Sequence, residues 1–134
     1  MQEYINHDER IYKVYMIGDH LAIQQKQSLP NLSDKLTSQN YLNFHSQASF
    51  KDLPEFQQFI KGFEPSEIDV QVVKTMCKEL GEELKLSIVG LDLIKETGTD
   101  IHYLIDINYF PGFKGFKDLR SVLHSHFYAK CCSK

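Results

Sequence analysis

One stretch constrains the fold of this chain more than any other: Ser87–Gly115, SIVGLDLIKETGTDIHYLIDINYFPGFKG. Two apolar, β-branched runs, SIVGLDLI and IHYLIDINYF, flank a short polar segment with Thr97, Gly98, Thr99 and Asp100. That pattern predicts a β-hairpin. Each run carries one acid where a strand would place an aliphatic residue, Asp92 in the first and Asp106 in the second. A turn centred on Thr99 sets Asp92 directly opposite Asp106. Asn108, two residues after Asp106, shares its face. Like charges opposed across a ladder are destabilising, and carboxylates among aliphatic neighbours add a desolvation cost. A cation held between them removes both penalties. Two carboxylates and an amide oxygen are hard ligands that suit Mg²⁺ completed by water and phosphate oxygens. An ordinary antiparallel pair with its acids on a solvated face is the other reading, and the residues alone leave both open. The following Pro111–Gly115 ends the strand, and its two glycines let backbone amides approach a ligand. An anion there would lie against a helix starting near Gly115 or Phe116.

The rest of the chain is ordinary enough to exclude several classes. Its 134 residues are a common single-domain length, with 42% hydrophobic and 25% charged residues. A net charge of −3 leaves no basic footprint for nucleic acid. Three cysteines, Cys77 in a helical stretch and Cys131–Cys132 in a C-terminal tail, form neither a disulfide framework nor a zinc spacing. No apolar run approaches membrane-spanning length, and MQEYINHDER has no signal-peptide core. The expectation is an intracellular, cytoplasmic protein without nucleic-acid or membrane partners.

The N-terminal part predicts a second hairpin. Gln2–Ile5 is strand-like and INHDER a polar loop. Ile11–Ile17 is a strand, Gly18–His20 a turn and Leu21–Gln27 the partner strand. Lys13 shares a face with Ile11 and Tyr15 and reads by itself as a solvated lysine. His7 and His20 read as solvated loop histidines. Residues 28–63 read as a long irregular cover with one short helix between Phe50 and Ile60. A helix is predicted from Pro65 to a stop at Gly81, burying Ile68, Val72, Val73, Met76 and Leu80, with Cys77 beside the stripe. A last helix over Lys117–Tyr128 packs Leu119, Val122, Leu123 and Phe127. Its His124 and His126, two apart, make a poor metal pair.

Read together, GLDLI, the TG turn and LIDINYFPGFKG resemble the end of the inositol-tetrakisphosphate 1-kinase (inositol 1,3,4-trisphosphate 5/6-kinase) family of ATP-grasp enzymes. QEYINHDERIYKVYMIGDHL is similar to that family's Q-x-F-I-N-H … YKV segment, and FHSQAS to its F-x-S motif. The resemblance implies an α+β fold, the ATP-grasp C-terminal subdomain, with an antiparallel sheet of hairpins against two or three helices. It implies two Mg²⁺ ions, one on Asp92 and Asp106 and one on Asp106 and Asn108. Asn108 and Gly112 would contact the inositol phosphate. Gln2, Glu3, Tyr4 and Ile5 would line the adenine site, and Lys13 would meet phosphate. Ser28 and Ser46 would join the nucleotide site, with Lys26 where the family carries an arginine. The implied activity is γ-phosphoryl transfer from ATP to an inositol polyphosphate hydroxyl. Residues 1–134 would then be the C-terminal subdomain alone, without the family's inositol-binding N-terminal and central ATP-grasp parts and of doubtful independent activity. Self-association or a complementing N-terminal half would be its partners. An inactive half-domain binding Mg-nucleotide or a partner, or another ATP-grasp ligase, are the alternatives.

Overall fold

The computed structural model describes residues 3–32, 52, 54–57 and 64–132. Among the described residues, four strands and three helices follow in the order β1 (Arg10–Ile17), β2 (His20–Gln27), α1 (Pro54–Gln57), α2 (Val70–Leu84), β3 (Ile88–Lys95), β4 (His102–Asn108) and α3 (Leu119–Cys132). The strands form one antiparallel sheet ordered β2-β1-β3-β4. Both predicted hairpins are present, joined side by side through β1 and β3. This is an α+β fold.

Alternation along the strands sorts the residues onto two faces. Tyr12, Val14 and Met16 of β1 and Val89, Leu91 and Leu93 of β3 form the core with Val73 and Cys77 of α2 and with Ile68. Asp69 caps α2, its Oδ1 accepting from the Gln71 and Val72 amides at 2.8 and 3.2 Å. The helix therefore begins five residues later than the expected Pro65. Before it, the Ser66 amide donates to Gln25 Oε1 at 3.0 Å, which keeps that stretch out of the helix. Nor does Gly81 stop it: α2 runs on to Leu84 and Lys85 takes the left-handed cap, φ 55°. Gly81 serves packing instead, since a Cβ there would lie 2.9 Å from Leu86 O and 3.1 Å from Met16 Cε. The buried stripe is Val73, Met76, Cys77 and Leu80, while Val72 faces outward.

The other face is covered in part by chain that crosses it. A Cβ on Gly90 would lie 2.5 Å from Pro111 Cβ, and one on Gly115 3.4 Å from Ala22 Cβ. Residues 111–115 thus pass from β3 to β2 over Tyr15, which stands in register between Gly90 and Ala22. Asp118 starts α3, accepting from the Ser121 amide at 3.0 Å. The helix extends past the expected end to include Cys131 and Cys132, which are exposed on it rather than in a tail. Phe127 is exposed, and His126 takes the inward position against Gly18 and Ser87. Among the described residues no helix is long and apolar enough to cross a membrane.

Candidate functional site

The site lies on the crossed face of the sheet, beside residues 111–115. Register aligns Gln24, Lys13, Asp92 and Asp106 in one row across all four strands. Asp92 faces Asp106 as the hairpin count predicts, but by another route. Near the turn Leu93 pairs with Leu104, and a register shift between Asp92 and Leu93 takes up Ile105 as a bulge. A regular ladder would have set Ile105 opposite Asp92 and turned Asp106 towards the core.

Lys13 is not a solvated strand lysine. Its Nζ donates to Asp92 Oδ2 at 2.5 Å, with side chains 28% and 15% exposed. The ammonium provides the positive charge that the facing carboxylates require. Asp106 is exposed, and its Oδ2 accepts from Asn108 Nδ2 at 2.7 Å. Gly112 is exposed on the crossing chain with open space beside its Cα. The structure therefore brings Lys13, Asp92, Asp106 and Asn108 together, with Gly112 on the adjoining segment.

On the other side of the row is a cleft of about 620 Å³. Its floor includes Ile94, two residues along β3 from Asp92 and on the same face, or roughly 7 Å away. Tyr103, Leu104 and Ile105 form one wall, and Glu3, Tyr4, Ile5, His7, Ser28 and Leu29 the other. Four of the predicted nucleotide residues, Glu3, Tyr4, Ile5 and Ser28, thus meet at one cavity. Lys26, opposite Ile11, lies on the same face of the sheet. Gln2 and Ser46 lie outside the described residues.

Glu3–Ile5 is not strand; residues 3–7 are irregular chain outside the sheet. Side-chain bonds replace the ladder there. Asn6 Nδ2 donates to Leu32 O at 3.2 Å and Asn6 Oδ1 accepts from the Leu32 amide at 2.9 Å. Asn31 Oδ1 accepts from the His7 and Asp8 amides at 2.9 and 2.8 Å. Tyr4 donates its hydroxyl to Pro30 O at 2.8 Å. Burial, with the Glu9 carboxylate adding, pushes the Tyr4 phenol up to about 12, so it remains a donor. Asp8 and Glu9 then take positive φ, 51° and 58°, turning the chain into β1. His7, expected in solvent, is buried: its Nδ1 is 2.7 Å from Ile5 O and its Nε2 3.1 Å from Ser28 Oγ. His7, Asn31, Ile94 and Tyr103 are the site residues that sequence reasoning missed. The Asn-His pair before the loop was the available signal for His7.

Two facing carboxylates and an adjacent amide oxygen fit a hard divalent cation. They supply too few donors to cage one, and no group of three or more His, Cys, Asp or Glu ligands occurs among the described residues. A cation held here needs oxygens from a bound ligand, as Mg²⁺ with phosphate does.

A family model described as the inositol 1,3,4-trisphosphate 5/6-kinase ATP-grasp domain matches residues 1–129. An inositol-tetrakisphosphate 1-kinase of Danio rerio is 29% identical over 99% of this chain and 35% of its own length. Inositol-tetrakisphosphate 1-kinase 1 of Arabidopsis thaliana is 32% identical over 96% of this chain and 42% of its own. Inositol-tetrakisphosphate 1-kinase 4 of Glycine max is 30% identical over 84% and 34%. The chain thus spans between 34% and 42% of the length of these three relatives.

Proposed function

Because the chain belongs to the inositol 1,3,4-trisphosphate 5/6-kinase ATP-grasp family, we propose that it forms the metal-holding, adenine-lining C-terminal subdomain of an inositol polyphosphate kinase. The reaction is transfer of the γ-phosphoryl group of ATP to a hydroxyl of an inositol tris- or tetrakisphosphate. One observation carries this reading: the Lys13–Asp92–Asp106 row lies directly beside the cleft lined by Glu3, Tyr4, Ile5 and Ser28. A nucleotide with its base in that cleft directs its phosphates along the sheet face towards the acids.

Phosphoryl transfer asks the protein mainly for position and charge neutralisation. Asp92 and Asp106 would hold one Mg²⁺, and Asp106 with Asn108 a second; the ions supply neutralisation of the phosphate oxygens. Asn108 rotates its carbonyl oxygen outward for this while its amide now rests on Asp106. Lys13, paired to Asp92 in the resting chain, is the cation that turns to a substrate phosphate when the carboxylate is otherwise neutralised. Residues 111–115 offer backbone amides around Gly112 to the inositol phosphate. Burial of Ile94 and the apolar wall of the cleft exclude water from the base.

A second reading is favoured by exposed apolar groups. Ile101, Ile105, Tyr109 and Phe110 are exposed along and beyond the edge strand β4, Phe110 to 82%. They suit a partner surface next to the site, whether or not this chain turns over alone. Sedimentation at several concentrations tests self-association through it.

The deciding experiment is calorimetric titration of Mg-ATP into the chain and its Asp106→Ala variant, followed by a phosphoryl-transfer assay with inositol polyphosphates. Micromolar binding lost in the variant is expected. Equal binding by both proteins overturns the metal assignment.

A further inference from the structure

Ser28 reaches the cleft with its hydrogen-bond direction already chosen. A backbone carbonyl only accepts, so the 2.7 Å contact between His7 Nδ1 and Ile5 O requires the proton on Nδ1. In the neutral ring Nε2 is then an acceptor, and the 3.1 Å contact is made by the Ser28 hydroxyl donating to it. His7 is 6% exposed, and both ring nitrogens are engaged within that burial, which holds the ring in this orientation. The Ser28 amide is likewise held by Glu9 O at 2.7 Å. A serine hydroxyl has one proton, and here it points away from the ligand.

We propose that His7 is a positioning residue that makes Ser28 a hydrogen-bond acceptor towards the cleft, so that Ser28 reads a donor hydrogen of the nucleoside and not a phosphate oxygen. The inference rests on the nucleotide reading of the cleft. Phosphoryl oxygens at neutral pH only accept, and an acceptor-only serine repels them. A nucleoside carries two kinds of complementary donor, the ribose hydroxyls and the purine amino group. Both belong in an apolar cleft lined by Tyr4, Ile5, Ile94 and Tyr103, while the phosphates belong beside Lys13 and the acid row.

Two measurements test this on the whole chain. Long-range ¹H–¹⁵N correlation of the histidine rings, with His7 identified by loss of its signals in His7→Gln, is expected to show the Nδ1–H tautomer without ligand. An Nε2–H or doubly protonated ring at neutral pH overturns the proposal before any ligand is added. Affinities for adenosine and Mg-ATP are then compared in the native chain and Ser28→Ala. The variant is expected to weaken both by the same factor, roughly threefold to tenfold, as one hydrogen bond is worth. A loss confined to Mg-ATP overturns the proposal and leaves the nucleotide reading intact. No binding of either ligand by the native chain overturns the nucleotide reading and the proposal with it. Repeating the comparison with 2′-deoxyadenosine, 3′-deoxyadenosine and purine riboside identifies the donor: the analogue lacking it shows no Ser28→Ala loss. A loss undiminished in all three overturns the proposal.

Discussion

Lys13 shows how a residue can be conspicuous in the sequence and still be misread. Periodicity assigns it a strand face, but only the pairing of β1 with β3, across a separation of 79 residues, sets its ammonium on Asp92. No local pattern encodes that pairing. Lys13→Met leaves Asp92 facing Asp106 with no ammonium on it, and is expected to cost about 1–3 kcal/mol of stability. Added Mg²⁺ restores part of the loss; urea unfolding with and without MgCl₂ measures both. A variant that Mg²⁺ does not rescue would show that the lysine does not occupy the cation's place. Cys77 makes the opposite case, legible from its position beside the helical stripe. Burial pushes its thiol up to about 11. A folded-state value raised in this way means stability that is complete below the ordinary thiol range and lost as pH rises through about 11. Alkaline unfolding followed in the native chain and Cys77→Ala is expected to show a smaller decline in the variant. At neutral pH a thiol reagent reacts with Cys131 and Cys132, and with Cys77 only on unfolding.

At the scale of elements, the two hairpins were legible because their alternating apolar runs are bounded by turn residues. The opposition of Asp92 and Asp106 was legible too, although the count assumed a regular ladder and the bulge at Ile105 supplies the extra residue. Helix limits were less so. Pro65 and Gly81 look like start and stop signals, yet the oxygen that caps the helix belongs to Asp69 and the glycine is required by Leu86 and Met16. Asp69→Ala is expected to lower stability by about 1 kcal/mol in urea unfolding. The strand expected at Gln2–Ile5 is absent over the described Glu3–Ile5, and the stretch is tied down instead by the Tyr4 hydroxyl on Pro30 O, the Asn6 side chain on Leu32 O and the His7 amide on Asn31 Oδ1. These are partners more than twenty residues away, and no period reports them. Gly90→Ala tests the crossing segment. Its methyl would lie 2.5 Å from Pro111 Cβ, so residues 111–115 must lift. A loss of about 1–3 kcal/mol is expected, together with weaker inositol phosphate binding than the native chain; unchanged binding would detach the segment from the substrate site.

For the molecule as a whole, the sheet order β2-β1-β3-β4 joins an N-terminal hairpin to a C-terminal one along a single seam. Lys13 lies on one side of that seam and Asp92 on the other. Each hairpin closes over a turn of a few residues, and such local closures take microseconds. The seam must bring together segments some eighty residues apart, a slower event because long-range contacts follow loop closure. During synthesis the first hairpin is complete long before the ribosome reaches the second, and it waits with an unpaired β1 edge. The second hairpin carries Asp92, Asp106 and Asn108, and the first carries the Lys13 ammonium that lies on Asp92. The charge-balanced row is therefore completed only when the seam closes, and until then the facing carboxylates of the second hairpin lack the ammonium that offsets them.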